Sequence, residues 1–427
     1  MKKKLITLAI LSTLPWQAAT ADQNNILQRL EQLERKSIQD QKTISELTSK
    51  LNALSQKSSG SNSVKLEQRL VKLEKKTQRQ AKSLKRKIES QKDRLSIKGF
   101  ASVYATKANV KGVTLEAGVD THWDFSPDTI AGLQFDYKVS DSIDAVIQLT
   151  AKGKNDFDME AEWAFLRFNV NDSLALRGGR MRLPWYMYSE SIEVGYAYPW
   201  VRPPAEVYVT SFTTYEGVDA TYSHPIGSWN TDTQIYYGTA GTDVAEAEAV
   251  SGIAFTAEKE SLTLRASYNQ IDTISITGFP LSDDIDYYSA SARYDNGKWF
   301  AMLEGAEADI GKKLPFLGNI AMSGTLGYQF EKWMPYMSLS KTYSDASHES
   351  NAVSPVQKVS MESITLGMRY NLNNQVSLKA EIVDYDNFDG TLGNTVIGTE
   401  LALNPNLVNE LDNDGVHVLS VGFDAVF

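Results

Sequence analysis

The stretch Val376-Ser377-Leu378-Lys379-Ala380-Glu381-Ile382-Val383-Asp384-Tyr385 decides the fold class, because apolar and polar residues alternate along it. An extended strand turns successive side chains to opposite faces, so one face here is apolar while the other carries Ser377, Lys379 and Glu381. The same alternation recurs from Ser363 to Tyr370. It is typical of a strand with lipid on one side and water on the other.

Segments of about ten residues with this alternation continue through the chain beyond Leu95. We predict sixteen strands, at Ile97–Thr106, Thr129–Val139, Asp144–Gly153, Glu160–Val170, Ser173–Arg182, Thr214–Ser223, Asn230–Thr239, Val250–Glu258, Glu260–Asn269, Ile285–Asp295, Lys298–Ala308, Ile320–Phe330, Trp333–Tyr343, Ser360–Asn371, Gln375–Tyr385 and Val416–Phe427. The prediction is an all-β transmembrane barrel of about sixteen antiparallel strands over residues 96–427. A barrel of this width encloses an aqueous lumen.

The connections between these strands alternate in length. Short ones such as Asn171-Asp172 and Asn296-Gly297 follow long ones such as Lys107–Asp128 and Leu183–Thr213. Outer-membrane barrels have this alternation, with short periplasmic turns and long external loops. A soluble β-sandwich has no reason to produce it, and a secreted β-helix or sandwich is the alternative fold.

The first residues predict export. Lys2, Lys3 and Lys4 precede an apolar run, and Ala19-Thr20-Ala21 is a small-residue cleavage site. We therefore predict a signal peptide at residues 1–21. The expected location is the bacterial outer membrane.

Residues 22–95 predict an α-helical coiled coil in the periplasm. Apolar residues step by four and three, which is a heptad pattern. They are Ile26, Leu30, Leu33, Ile44, Leu47, Leu51 and Leu54, then Leu66, Leu70, Leu73 and Leu84. The pattern does not distinguish a dimer from a trimer; we choose a homotrimer because of the barrel. The arm is either an oligomerisation device or a tether to peptidoglycan.

The charge is distributed unevenly. Residues 22–95 contain 18 Lys and Arg against 9 Asp and Glu, whereas residues 96–427 contain 22 against 44, within a total of −10. Basic regions can bind nucleic acid, but an exported protein rarely meets it, so we expect no nucleic-acid partner. The expected partners are outer-membrane lipid and lipopolysaccharide.

Several classes of chemistry lack a sequence signal. Cysteine is absent, which excludes disulfides and thiol catalysis. No Gly-Xaa-Ser-Xaa-Gly elbow, zinc helix or phosphate loop is present, so we predict neither an enzyme nor a cofactor nor a metal site.

One passage carries a family resemblance. Arg177-Gly178-Gly179-Arg180-Met181-Arg182-Leu183-Pro184, continuing through Ser189-Glu190 to Pro199-Trp200, resembles the porin passage in which a strand ends in Gly-Arg before a long third loop. The terminal Phe427 resembles the aromatic signal that outer-membrane proteins present to the barrel-assembly machinery. With the export signal and the arm, the chain resembles the bacterial porin superfamily and is similar to its trimeric, dicarboxylate-uptake members with an N-terminal coiled coil.

The resemblance implies that the third loop, residues 183–213, folds into the barrel. Its prolines and aromatic residues suit a fixed position, although packing against other external loops is the alternative. We expect a pore constriction formed by wall arginines facing loop glutamates: Arg177, Arg180, Arg182 and Arg202 opposite Glu190, Glu193 and Glu206. A bulge at Gly178-Gly179 would give the three strand arginines one orientation. Structural ion pairs that hold the loop are the alternative role.

Strand alternation also predicts basic side chains along the lumen. They are Lys138, Lys152, Arg167, Arg265, Arg293, Arg369 and Lys379. The expected function is a porin for passive diffusion of small hydrophilic or charged solutes, including ions. Arginines favour anions and the acidic loops favour cations, and the sequence leaves both open. The alternative function is a structural barrel tethered to the cell wall by its coiled coil.

Overall fold

The computed structural model describes residues 94–427, apart from 110–118, 120, 209–211, 243–244, 277–281, 311–318, 345–359 and 390–414. Contacts divide the chain into two units, Met1–Asp93 and Arg94–Phe427. In the first unit only Glu46, Ser49, Lys72, Lys75 and Arg79 are described, and each is helical and exposed. The predicted signal peptide and coiled coil otherwise lie outside the described residues.

Sixteen strands make up the second unit. They are β1 Leu95–Ala108, β2 Ile130–Lys138, β3 Ile143–Lys152, β4 Met159–Asn169, β5 Leu174–Arg182, β6 Thr214–Ile226, β7 Trp229–Gly241, β8 Ala245–Lys259, β9 Leu262–Ile276, β10 Ser282–Asp295, β11 Trp299–Ile310, β12 Asn319–Tyr328, β13 Trp333–Ser344, β14 Ser360–Asn371, β15 Val376–Asp389 and β16 Val416–Val426. Single-turn 3₁₀ helices occupy Gly153–Asn155, Ser189–Ser191 and Gly195–Ala197, and a four-residue helix, α1, occupies Ala205–Tyr208. No helix among the described residues is long and apolar enough to cross a membrane.

The strands form a closed antiparallel barrel in sequence order. Each strand pairs with its neighbours along the chain, and β1 closes the barrel by pairing with β16, for example Ala101 with Ala425. The predicted number of strands and the antiparallel barrel are confirmed. Closure gives every strand two hydrogen-bonded neighbours, so no sheet edge faces lipid.

The two faces of the wall differ as the alternation predicts. On β13, Met337 and Leu339 are exposed on the outward face, while Ser338 and Ser340, which alternate with them, are buried on the inward face. At the short-turn ends, Trp299 lies against Tyr328 and Trp333 against Tyr370, with ring centroids 4.6 and 4.5 Å apart. An apolar outer belt with aromatic residues at its border fits a lipid bilayer.

One register shift matters for the interior. It lies between β3 and β4 at Gln148 and Leu149, where Glu162 is the additional residue of β4. The predicted bulge at Gly178-Gly179 is wrong, because β5 keeps continuous register with both β4 and β6. Gly179 instead allows close approach of β4: its φ is 138°, and a Cβ there would lie 2.2 Å from the Ala164 carbonyl oxygen.

Phe427 completes the outer surface where the barrel closes. It exchanges backbone hydrogen bonds with Gly99 of β1, with N···O distances of 2.7 and 2.9 Å. Its ring covers the glycine so closely that a Cβ on Gly99 would lie 2.2 Å from Cε2 of Phe427. An aromatic ring over a strand glycine protects backbone that would otherwise be bare.

We expect Gly99→Val to displace the Phe427 ring and to lower the free energy of unfolding by about 1–3 kcal/mol, the usual cost of overpacking. Urea unfolding of the vesicle-embedded barrel, followed by tryptophan fluorescence, measures the change. Gly241→Val is the matched control, since the nearest atom to its Cβ is 3.9 Å away. Equal stability of the two variants would contradict the expectation.

Candidate functional site

The candidate site is formed by the segment that follows β5, described over residues 183–208. Its aromatic side chains are buried, Trp185 to 2% and Trp200 to 1% exposure. Trp185 Nε1 donates to Tyr236 Oη of β7 at 2.9 Å, and the Tyr186 and Tyr287 hydroxyls lie 2.6 Å apart. The start of the segment therefore packs against inward-facing residues of β7 and β10.

The middle of the same segment contacts the strands on the far side of the barrel. Lys379 of β15 is fully buried and donates to the carbonyl oxygens of Gly195 at 2.8 Å and Trp200 at 2.6 Å. Its ammonium group also lies 2.8 Å from Asp424 Oδ2 of β16. Three contacts use the donor capacity of a lysine. Lys379 is thus covered by the segment.

Gly195 is required by this contact. A Cβ at this position would lie 2.3 Å from Asp424 Oδ1 and 2.6 Å from Ser102 Oγ. Any larger residue would push the segment away from β16 and β1. The close approach of backbone and wall is the structural reason for a glycine here.

Arg182 lies in a buried network of alternating charges. Its Nη2 donates to Glu162 Oε2 at 2.9 Å and to Glu193 of the segment. Lys152 contacts the same two carboxylates, with Glu193 at 3.0 Å. Burial alone would raise the pKa of Glu193, but Arg182 and Lys152 together lower it to about 2. Glu193 therefore stays charged at neutral and mildly acidic pH.

Arg177 and Arg202 are also paired with carboxylates. Arg177 Nη2 lies 2.7 Å from the buried Asp219 of β6, and its Nη1 lies 3.2 Å from the half-exposed Glu190. Arg202 Nη2 lies 2.6 Å from Asp128, before β2, and donates to Ser420 of β16 at 2.8 Å. Arg177, on the wall, thus contacts Glu190 of the segment, and Arg202, on the segment, contacts the wall at Ser420.

Two of the predicted constriction residues lie elsewhere. Arg180 pairs with Glu216 at 3.0 Å among the outward-facing residues of β5 and β6, because the continuous register leaves it opposite in orientation to Arg177. Glu206, on α1, is buried to 3% exposure and forms no ion pair with a described residue; burial raises its pKa. Neither faces an arginine across the lumen.

Four inward-facing arginines differ from those above in having no carboxylate partner among the described residues. Arg265 donates to the Pro184 carbonyl oxygen at 2.6 Å, and Arg369 donates to the Tyr198 carbonyl oxygen at 3.2 Å. Arg293 lies 5.9 Å from the Tyr188 ring centroid, and Arg167 lies 5.8 Å from that of Phe165. Acidic residues act on Arg265 from a distance without forming an ion pair with it, namely Glu190, Glu304 and Asp232. Lys138 is exposed at the end of β2.

These arginines line two cavities beside the segment. One of about 550 Å³ contains Arg167, Arg265 and Arg293, and another of about 510 Å³ contains Arg293 and Arg369. Arg293 and Tyr188 contribute to both. The larger cavity also includes the Arg177–Glu190 pair, Asp232 and Glu258, and the smaller one Lys298, Lys332, Asp295 and Glu331.

The sequence interpretation missed the acidic residues of the interior. Glu304 of β11 accepts a hydrogen bond from the Met187 amide at 2.8 Å, and Glu381 of β15 accepts one from the Val201 amide at 3.1 Å. Asp424 accepts from Ser102 Oγ at 2.7 Å and Tyr104 Oη at 2.8 Å. The same alternation that selects the lysines and arginines selects these carboxylates too, so the signal was present.

No group of three or more His, Asp or Glu residues suited to a metal ion occurs in the described part of the chain.

Comparison with known proteins shows which solved structures share this fold. No protein-family model and no curated protein sequence matches the chain. Solved structures do match, each over 78% of this chain. OmpF of Salmonella typhi, in a complex with daunomycin, has a TM-score of 0.54 at 13% identity and is covered over 97% of its length. The anion-selective porin from Comamonas acidovorans has a TM-score of 0.52 at 14% identity and is covered over 99%.

A loop-deletion mutant of OmpT, an outer-membrane protein of Vibrio cholerae, has a TM-score of 0.51 at 13% identity, with 99% of its length covered. These likenesses show that the chain has the fold of outer-membrane porins. The closed barrel, its apolar outer belt and the shared fold identify a bacterial outer-membrane protein.

We expect Glu193→Gln to lower the free energy of unfolding by about 3 kcal/mol at pH 7, because Arg182 and Lys152 lose a buried partner. The folded-state pKa of Glu193 lies below its ordinary value of 4.5, so the stabilisation is present above about pH 5 and is lost as the pH falls toward 2. Urea unfolding of both proteins between pH 2 and 7 tests this.

Glu190→Gln is the matched control, since that side chain is 52% exposed and its removal should cost under about 1 kcal/mol. A difference between wild type and Glu193→Gln that stays constant from pH 7 to pH 2 would contradict the assignment.

Proposed function

We propose that this protein is an outer-membrane channel for passive diffusion of small hydrophilic solutes and ions, narrowed by residues 183–213. The observation that carries the proposal is the path of this segment. It leaves β5, contacts β7 and β10 through Trp185 and Tyr186, and reaches β15 and β16 through Gly195 and Trp200. Two cavities of about 550 and 510 Å³ remain beside it.

The charged residues fall into two roles in this proposal. Arg177, Arg182, Arg202, Lys152 and Lys379 are each paired with a carboxylate. Removing water from a charge requires such a partner, so these pairs hold the segment in position. These five residues thus take the role predicted as the alternative, that of structural ion pairs that hold the loop. We place Glu190 and Glu193 at the narrowest section of the channel.

The remaining arginines set the selectivity. Arg167, Arg265, Arg293 and Arg369 border the cavities and form no ion pair with a described carboxylate, and a fixed charge beside a narrow aqueous path raises the local concentration of counter-ions. We infer that small anions are preferred. The position of these arginines beside the cavities is the reason for proposing selectivity set by arginines and not by the acidic loops.

The proposal also includes the two N-terminal segments and the C-terminal residue. Residues 1–21 are an export signal, residues 22–95 form a coiled coil, and Phe427 is read by the barrel-assembly machinery. Lipopolysaccharide surrounds the barrel. The tether function, with the arm bound to peptidoglycan, is retained as the alternative, and no described residue favours it.

Single-channel recording in a planar bilayer tests the selectivity. Under a tenfold KCl gradient we expect an anion-preferring reversal potential. Arg293→Gln, which removes the charge shared by both cavities, should lower the anion-to-cation permeability ratio roughly twofold. Lys341→Gln is the control, because Lys341 is a cation on the outward face of β13 and should leave the ratio unchanged.

Cation preference of the wild type would overturn the selectivity assignment while retaining the channel. Absence of current from correctly folded protein would overturn the channel itself and leave the tether.

A homotrimer is proposed from the outward face of β5 and β6. The Arg180–Glu216 pair lies there beside the exposed apolar residues Leu176 and Val218. Gly178 belongs to the same face, and the nearest atom to a Cβ there is 3.8 Å away. Charges against lipid are costly, up to about 2–4 kcal/mol for an arginine at the bilayer midplane. Contact with another subunit removes that exposure.

We expect the wild type to be trimeric by size-exclusion chromatography with light scattering. Glu216→Arg should convert it to monomers, since it places a second cation beside Arg180. Glu307→Arg, an equivalent change on the exposed outward face of β11, should leave the trimer intact. Trimers of Glu216→Arg would exclude this face as the subunit contact.

A further inference from the structure

A groove of about 820 Å³ runs along the outside of the barrel across β10 to β14. It follows residues that lie opposite one another in register, such as Leu303, Gly324, Leu339 and Ile364 on neighbouring strands. Leu303, Leu339 and Ile364 are 67, 51 and 47% exposed, which identifies the face as the outward one. The groove therefore faces lipid and not the lumen.

Small residues form the floor of the groove. Ala290 and Ala292 on β10, Gly305 on β11 and Gly324 on β12 alternate with the larger side chains at its walls. The depression arises because four outward positions in three neighbouring strands lack a side chain beyond Cβ. An outer belt built of leucine and valine would be flat at this place.

The barrel itself does not require the glycine at 305. A Cβ there would meet only the Ala321 carbonyl oxygen, at an ordinary 3.6 Å. By contrast, a Cβ at Gly367 would lie 2.1 Å from the Tyr336 ring, so that glycine is needed for internal packing. A glycine within a strand costs about 0.5–1 kcal/mol relative to alanine. Where internal packing does not explain it, a strand glycine often marks a place that a ligand approaches closely.

The groove climbs through the membrane. Ala292 lies three residues from Asp295, the short-turn end of β10, whereas Lys341 lies eight residues from Trp333, the short-turn end of β13. With about 3.3 Å per residue and a strand tilt near 40°, these positions are about 8 and 20 Å above that end. The upper end therefore approaches the external border of the apolar belt.

Among the outward-facing described residues of the groove, the charged ones lie at this upper end. Lys341 and Glu362 form an ion pair there, with side chains 45 and 37% exposed, and the Lys341 ammonium group lies 5.8 Å from the Tyr343 ring centroid. The outward-facing residues of the lower end, between β10 and β12, are alanine, glycine, leucine and methionine, and Ser291, Glu304 and Ser323 line it from inward-facing positions. An apolar trough that ends in the Lys341–Glu362 ion pair at the membrane border has the polarity of a lipid molecule, with the ammonium group as the partner for an anionic headgroup.

We propose that this groove binds one acyl chain of a phosphate-bearing lipid of the outer leaflet, with the phosphate at Lys341. A second copy of the chain is not the occupant, because the proposed subunit contact lies at β5 and β6, and β7, β8 and β9 separate it from the groove. The site is independent of solute diffusion through the lumen.

Native mass spectrometry of the delipidated full-length protein tests the site. The probes are lipid A carrying its phosphates and the same lipid after dephosphorylation. We expect one bound molecule per barrel, at least tenfold weaker binding of both lipids to Gly305→Leu, and weaker binding of only the phosphorylated lipid to Lys341→Gln. Gly241→Leu, an exposed glycine with an equally free Cβ at 3.9 Å from its nearest neighbour, is the matched control.

Wild-type lipid binding by Gly305→Leu, or equal weakening by Gly241→Leu, would overturn the groove. Equal loss of both lipids in Lys341→Gln would overturn the phosphate assignment. Ala292→Leu fills the lower end and replaces Gly305→Leu if that variant does not fold. Single-channel conductance equal to wild type verifies the barrel in each variant, so failure of the groove is distinguishable from failure of the channel.

Discussion

The pairing of the first strand with the last is the constraint on which the rest of the structure depends. Asp424 of β16 is fully buried at this junction and accepts hydrogen bonds from Ser102 and Tyr104 of β1. It also pairs with Lys379, whose other donors hold the carbonyl groups of the segment that follows β5. A carboxylate can remain buried there because every neighbour donates to it. Closure of the wall and position of the segment thus share one network.

Burial separates two kinds of cation in the interior. Arg182 and Lys379 lie beneath the segment at 4% and 2% exposure, and each is matched by a carboxylate from a neighbouring strand. Arg293 and Arg369 border open space, where water can solvate a charge that has no acidic partner. Since desolvation, and not charge itself, creates the need for a partner, the two kinds cannot be told apart from residue type.

Alternation was sufficient to predict the strands, because each face of a barrel strand meets one solvent along its whole length. It was not sufficient at the end of β5. Arg180 and Arg182 have the same parity, but Arg180 follows the ladder outward, whereas Arg182 is the last residue before the chain turns inward to Glu162. The bulge that exposes Glu162 to the interior lies on β4 and carries no glycine. Contacts such as Lys379 with Gly195 join residues 184 positions apart, beyond any local pattern.

The position of Lys379 and Asp424 in the last two strands has a consequence for the timing of assembly. The segment that they hold lies between β5 and β6 in the chain. The strands at its two ends can therefore pair before β15 and β16, which carry its partners, join the sheet. Until the final hairpin joins β1, the segment can contact β3, β5, β7 and β9 to β12, but it lacks the hydrogen bonds from Lys379. The final position of the segment over Lys379 and Asp424 therefore requires the last two strands, so the segment can be fixed there only when the sheet is complete.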